Sequence, residues 1–318
     1  MDTPPDLLPP DLSPHAAGNT GTPYVHLLDS GRPGPTVMLQ ALMHGNELCG
    51  AIALDRLLRE QVGAQLRRGR LILAFANIEA FLRFDAAHPF DSRCVDEDMN
   101  RVWADAVLQG PRDSLELRRA RALLPFVEQA DVLLDLHSMQ EDGAPALAIC
   151  GTQDKSAALA RALGQPATLM VDTGHTAGLR LIDRPGFADP ASPRQALLVE
   201  CGAHWARESA EMAFDVCLRL LAQQGLVDAA WAQARLPLAA ATQQRLLRVT
   251  SAWTAQSEDF RFLRDVHHLD CIPRAGTPLA EDGGRLRATP FDDCVLVMPT
   301  QRPLKAGQTA VRLGRFDP

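Results

Sequence analysis

The sequence predicts an α/β domain built on parallel strand pairs, followed by a small β domain. Three observations carry this. Apolar runs of strand length alternate with segments of helical period over the first two thirds of the chain. The C-terminal part changes to short apolar runs punctuated by glycine turns. Three short motifs bearing His and Glu fall at the ends of predicted strands: His44-Gly45-Asn46-Glu47, Asp135-Leu136-His137 and Val199-Glu200-Cys201-Gly202. In open α/β sheets ligands bind outside the carboxyl ends of strands, so the three motifs point to one shared site.

Taken in order, residues 1–20 are proline-rich, carry little periodicity and read as a mobile N-terminal arm or an extended edge segment. A domain over 21–235 follows. Residues 36–43 read as a buried strand that ends at the first motif. Leu48, Ile52, Leu54, Leu57 and Leu58 recur at helical spacing and predict a helix over 47–60. A second buried strand is expected at 70–77. Residues 78–100 have no clean period, contain Pro89 and several acids, and read as a long functional loop. Helices are expected at 113–129 and 154–163, strands at 132–137 and 196–200, and a helix over 205–224 returning across the sheet. Residues 223–240 read as a helical or linker stretch. The small β domain, 241–318, has expected strands at 246–253, 293–298 and 309–313, with turns at Gly276, Gly283-Gly284 and Gly307.

Bulk properties narrow the function. The chain has 318 residues, 46% of them hydrophobic, enough for a full core. Its formal charge is -7 and no Lys/Arg block stands out, which argues against a nucleic-acid partner. The seven cysteines form no CxxC pair and are odd in number, so a reducing compartment is expected. Cys49, Cys201 and Cys217 have apolar surroundings and read as core residues. No apolar run reaches membrane-span length, and the N-terminus lacks signal-peptide features, so a cytoplasmic location away from membranes is expected. A homo-oligomer is compatible with everything above.

The motifs define candidate chemistry. His44 and Glu47 are three apart, a spacing that presents both on one side of a turn, and Gly45 lets backbone pass close by. His137 would complete a two-His, one-carboxylate set with an open position, the usual form of a catalytic zinc site, one zinc per chain. Cobalt or manganese would suit the same ligands. Asp135, on the same strand face as His137, could orient a ligand imidazole, or be a solvent-facing acid. Glu200 ends a buried strand, where a carboxylate is costly unless it faces a cation or an activated water, which makes it the candidate base. Arg93, Asn100 and Arg101 cluster with acids between them. Arginine suits carboxylate binding, and Arg93 could instead donate to a developing oxyanion. A mixed-charge run is also commonly just a solvated loop. His175 and His204 could line the pocket but are more often loop or packing residues, His267-His268 reads as surface, and the four tryptophans as core or interface.

With those residues in view, the chain resembles the succinylglutamate desuccinylase/aspartoacylase family of zinc-carboxypeptidase-like hydrolases. The motifs that carry the resemblance are His-Gly-Asn-Glu, Arg-x5-Met-Asn-Arg from Arg93 to Arg101, Asp-Leu-His and Val-Glu-Cys-Gly. It extends into 290–299 and 307–313, which look like the small β domain of bacterial members. The resemblance implies a mixed sheet flanked by helices with a smaller C-terminal β domain. It implies His44, Glu47 and His137 as zinc ligands, Glu200 as catalytic glutamate and Arg93 as the arginine that polarises the scissile carbonyl. It implies Asn100 and Arg101 as the pair holding the substrate's free carboxylate. The implied reaction is hydrolysis of a small N-acyl amino acid. Aspartoacylase-like members also use a late tyrosine and a further arginine. Here the only tyrosine is Tyr24, and Arg184 and Arg194 precede Glu200. An N-acetylated diamino acid fits as well as N-succinylglutamate. Two other readings are a zinc carboxypeptidase acting on peptides and a non-catalytic binding protein on the same fold.

Overall fold

In the computed structural model, which describes residues 6–174, 177–241, 243–300 and 302–317, the apolar runs assemble into one large sheet. The chain opens with β1 (Val25–Asp29), β2 (Thr36–Ala41), α1 (Leu48–Arg59) and β3 (Arg70–Phe75). Short helices α2 (Ile78–Phe81) and α3 (Asp105–Leu108) precede α4 (Leu115–Gln129). Next come β4 (Val132–Met139), β5 (Leu147–Ile149), α5 (Asp154–Leu163) and β6 (Thr168–Val171). Helix α6 (Pro185–Ala188), β7 (Gln195–Ala203), α7 (Arg207–Gln223) and α8 (Ala229–Gln233) follow. The C-terminal part holds β8 (Arg245–Thr254), β9 (Arg261–Phe262), β10 (Cys271–Ile272), β11 (Pro278–Asp282), β12 (Arg285–Ala288), β13 (Cys294–Val297) and β14 (Thr309–Phe316).

The eleven-stranded sheet runs β1-β3-β2-β4-β7-β5-β6-β8-β14-β13-β10. Its centre, β3-β2-β4-β7, is parallel, so β2, β4 and β7 deliver their C-terminal ends to one rim. Their side chains alternate between two cores. Leu39, Leu134, Leu136, Leu197 and Val199 pack with Leu54, Leu57 and Phe214 beneath α1 and α7. Met38, Leu133 and Leu198 pack with Leu117 and Leu123 beneath α4. Counting by twos from those residues puts Gln40, Asp135, His137 and Glu200 on the α4 side. The helix periods explain α1 and α4 in turn. In α1 the buried Gly50, Ala53, Leu54 and Leu57 share a stripe, and Arg56 and Arg59 stand in the last turn, where they complement the helix dipole. In α4 the Ser114 hydroxyl caps the Leu117 N–H at 3.0 Å.

The expected C-terminal strands form, but not as an isolated body. β8 pairs in parallel with β6, Leu169 opposite Leu246, so β8, β14, β13 and β10 continue the main sheet. The segment also has its own core of Trp253, Phe260, Leu279, Leu296, Val311 and Leu313, and a three-stranded sheet β12-β11-β9. Two expectations are corrected. The described part of the proline-rich arm is docked: Leu12 is buried in the main core, His15 Nε2 lies 2.9 Å from Asp55 Oδ1, and the Leu7 N–H donates to the Trp205 carbonyl. Of the His267-His268 pair only His267 is exposed. His268 is buried and its Nδ1 accepts the Met298 N–H at 3.1 Å.

Candidate metal centre and its surroundings

Beyond β2 the chain must turn sharply to carry its first motif to the rim. Leu42 takes φ +60°, a left-handed conformation that costs a non-glycine residue energy and is held here by full burial. Gly45 then passes so close to neighbouring backbone that an added Cβ would lie 2.4 Å from Ala80 C and 2.5 Å from Ser92 O. Its N–H donates to the Arg93 carbonyl at 3.0 Å, tying this turn to the 93–101 loop.

Three side chains converge. Glu47, at the start of α1, places Oε1 2.7 Å from His44 Nδ1 and Oε2 2.9 Å from His137 Nδ1. Their ligating atoms all lie within 4.8 Å of one another, and all three residues are buried. The outer nitrogen of each ring faces a carboxylate: His44 Nε2 is 3.0 Å from Asp98 Oδ1, and His137 Nε2 is 3.0 Å from Asp135 Oδ2. Were each Nε2–H donated to those acids, both Nδ1 lone pairs would face Glu47, the tautomer a metal ligand needs. Gln40 steadies Asp135 with a 3.2 Å hydrogen bond from its amide. Burial works to lower the His137 pKa, but Asp135 and Glu47 outweigh it and raise it well above the usual range. The ring is therefore a strong base. Two imidazoles and a carboxylate with such backing fit a zinc-type divalent cation.

Glu200 stands beside this set, cross-strand from His137 on β7. Burial pushes its carboxyl up to about 7, against the pull of His137 and with the help of Glu47. Its Oε2 is buried and has no hydrogen bond among the described residues. Arg93 reaches the same point from the loop. Its Nη2 donates to Asp98 Oδ2 at 3.1 Å and lies 2.9 Å from His44 Nε2, and its Nη1 approaches Glu47 Oε1 at 3.5 Å. Asn100 is buried, and its Oδ1 accepts the Leu181 N–H at 3.0 Å. Arg101 donates to the Asn100 carbonyl at 2.8 Å and stands 3.8 Å from Asp98 Oδ2. All seven site residues expected from sequence thus gather at one rim.

Comparison with known proteins now bears on this site. The succinylglutamate desuccinylase/aspartoacylase catalytic-domain model matches residues 33–216, more than half of the chain. The chain belongs to the succinylglutamate desuccinylase/aspartoacylase family. Solved structures with the same fold include a succinylglutamate desuccinylase from Vibrio parahaemolyticus, with TM-score 0.69 and 17% identity, covering 92% of this chain and 86% of that one. Another is the ectoine utilization protein EutE (DoeB) from Ruegeria pomeroyi in a product-bound state, with TM-score 0.64 and 16% identity over 92% and 88% of the two chains. A third is the succinylglutamate desuccinylase from Chromobacterium violaceum, with TM-score 0.64 and 19% identity over 93% and 89%. No curated protein sequence matches the chain.

This member of the succinylglutamate desuccinylase/aspartoacylase family has surroundings that sequence reading missed. Glu116, fully buried on α4, accepts the N–H groups of Val95, Asp96 and Glu97 at 2.6, 3.0 and 3.3 Å and the Asn77 amide at 3.1 Å. One carboxylate thereby pins the loop that carries Arg93 to Arg101. Its only sequence signal is an acid in the first turn of a helix, which is commonplace. Ser138 Oγ lies 2.7 Å from His204 Nδ1, and burial lowers the His204 pKa to about 4, so its ring is neutral. Arg184 and Arg194 are not at the rim. Arg184 donates to the Trp103 carbonyl and to Glu128, and Arg194 to the Ala130 and Val127 carbonyls, so both brace α4. His175 lies outside the described residues. Cys49, Cys201 and Cys217 are buried core thiols, and every described cysteine is free. No helix among the described residues is long and apolar enough to cross a membrane.

Proposed function

We propose that the protein is a zinc-dependent deacylase that hydrolyses the amide bond of a small N-acyl amino acid. The observation that carries this reading is the convergence of His44, Glu47 and His137 with Glu200 alongside, its buried Oε2 without a hydrogen-bond partner among the described residues. Membership of a family named for desuccinylation and aspartoacylase activity supports the substrate class.

His44, Glu47 and His137 would hold the zinc. Bound zinc supplies Lewis acidity toward water and toward an acyl oxygen. Glu200, raised to about 7 by burial, takes a proton from the attacking water and returns it to the leaving amine. Arg93 stays protonated, because Asp98 and Glu47 outweigh the effect of its burial, and it donates to the acyl oxygen as negative charge develops there. Arg101 and the amide nitrogen of Asn100 bind the substrate carboxylate, the carbonyl end of Asn100 being committed to Leu181. Asp98 keeps the two arginines apart and in place; burial works to raise its pKa, but His44, Arg93 and Arg101 outweigh it and hold the pKa well below the ordinary carboxylate range, so the group stays ionised.

The test is metal analysis of the purified protein combined with amine release from N-acetyl and N-succinyl amino acids, with C-terminal dipeptides assayed in parallel. About one zinc per chain and release from acyl amino acids alone is the expected result. Hydrolysis of peptides alone would replace the deacylase reading with a carboxypeptidase, and absence of metal after supplementation would remove the zinc.

A further inference from the structure

Glu47 joins the two imidazoles of the metal set, one carboxylate oxygen facing each ring. Its aim depends on the peptide that links it to Asn46, and both ends of that peptide are held. The Glu47 N–H donates to the His44 carbonyl at 3.2 Å, and the Asn46 carbonyl accepts the indole N–H of Trp205 (Nε1) at 2.8 Å. The first bond lies inside the turn. The second comes from 159 residues away, just beyond the end of β7. The strand order β2-β4-β7 puts β4 between the two partners. The indole therefore ties the first motif to the third across the strand that carries His137. Asn46 has no brace of its own: its side chain is fully buried, and neither amide atom has a hydrogen-bond partner among the described residues.

Trp205 is held there in a strained conformation. Its φ is +60°, in the left-handed region that a bulky residue rarely enters. Such a backbone persists only where the surroundings over-determine it, and it concentrates at functional sites. Here the Leu7 N–H donates to the Trp205 carbonyl at 2.9 Å. The indole meets the ring of Phe90 edge-on with centroids 4.9 Å apart, and it also touches Phe84 at 6.4 Å and His204 at 5.2 Å. Packing of this kind asks only for an apolar ring. The directed N–H is what tryptophan adds, and a buried carbonyl deprived of its donor is costly.

We propose that Trp205 is a positioning residue of the metal centre: its indole N–H, acting through the Asn46–Glu47 peptide, sets the direction from which Glu47 meets the metal. This rests on the zinc reading of His44, Glu47 and His137 and deepens it. Leu7 on the N-terminal arm and Phe90 on the loop before Arg93 hold the indole, so both segments bear on the metal without touching it.

The experiment separates the N–H from the ring with two variants of the full-length protein. Trp205→Phe keeps an aromatic ring and drops the N–H. Trp205→His keeps a five-membered ring, whose Nε2 takes the place of the indole Nε1, and drops the benzo ring. Zinc affinity is read by competition with a chromogenic chelator at about pH 8, where an ordinary imidazole is neutral. The visible spectrum of the cobalt-substituted protein reports ligand geometry, and the melting temperature reports packing. Trp205→Phe is expected to bind zinc at least about tenfold more weakly and to alter the cobalt spectrum, the order expected when a ligand loses its outer support. Trp205→His is expected to stay within about threefold of the parent with the parent's spectrum, although it melts at a lower temperature than Trp205→Phe. A tenfold loss in Trp205→His, or none in Trp205→Phe, overturns the proposal. Should Trp205→Phe not fold, the affinity of Trp205→His decides alone. Phe84→Leu thins the same aromatic cluster without reaching the turn. It should lower the melting temperature and spare zinc affinity; a zinc loss equal to that of Trp205→Phe would make the effect one of packing and overturn the proposal. A parent protein that takes up no metal sinks the zinc reading and this role with it. Metal bound without amine release sinks the deacylase reading alone and leaves the role of Trp205 standing.

Discussion

Asp135 lies 3.0 Å behind His137, on the side of the ring away from Glu47. The pair occupies alternate positions of one strand, so β4 presents both to the same face with no loop to order. A buried acid that only accepts from an imidazole sets which nitrogen is free and strengthens it as a donor.

Replacing that acid is expected to weaken metal binding while sparing the fold. In Asp135→Asn the shape is kept but the ring loses its anionic partner. Metal affinity should fall by about 10- to 100-fold, read by competition with a chromogenic chelator. Unchanged affinity would leave Asp135 a packing residue only.

Glu200→Gln should retain the metal and lose turnover by about 10²- to 10⁴-fold, the range for removing a general base. Metal content and kcat are measured on the same preparation. A variant with full turnover would remove Glu200 from the chemistry.

Glu116 acts at a distance from the rim. Truncation to Ala leaves three backbone N–H groups of the partly exposed 95–97 turn without their shared acceptor, so the turn is no longer tied to α4. We expect KM to rise with zinc content unchanged, because the loop carrying Arg101 loosens while Glu47 and His137 stay on their own elements. Steady-state kinetics beside metal analysis distinguishes this from general unfolding, which would lower both.

Arg184→Ala is the contrasting case. Arg184 is bonded to Trp103, Asp105 and Glu128, away from the metal set. The melting temperature should drop while kcat and KM of the folded fraction hold. A selective change in KM would place Arg184 in substrate binding after all.

His268 gives a pH dependence of stability. Burial lowers its pKa to about 4, whereas an unfolded histidine titrates near about 6.5. Between those values the unfolded chain binds the extra proton, so stability is full above about 6.5 and is lost as pH falls toward 4. His204 contributes in the same direction. Melting curves from pH 7.5 to 5 should therefore slope less steeply for His268→Gln than for the parent. Equal slopes would count against the buried neutral ring.

What could be read from the sequence was set by local pattern. The continuous apolar runs of β2, β4 and β7 announce buried parallel strands, and His44, His137 and Glu200 come directly after or at the end of them. The helices at α1, α4, α5 and α7 have clear periods, and each formed close to its expected bounds. Strands of two to five residues such as β5, β9 and β10 carry too little pattern to distinguish from loop. The partners of the site residues were hidden for a different reason. Glu116 grips a loop some twenty residues away, and Trp205 meets Asn46 only because β2, β4 and β7 lie side by side. Such pairings are products of tertiary packing and leave no periodic trace. The docking of Leu12 and His15 was missed because proline-rich composition resembles that of an unattached tail.

The ladder between β6 and β8 also decides where the chain can be divided. The family match stops at residue 216, yet one side of β6 finds its hydrogen-bond partners only in β8. A protein ended after α8 would expose that side, with the apolar Leu169 and Met170 beside it, as an open template to which other copies could add strands. The C-terminal segment thus shields the hydrolase-type sheet from its own self-association.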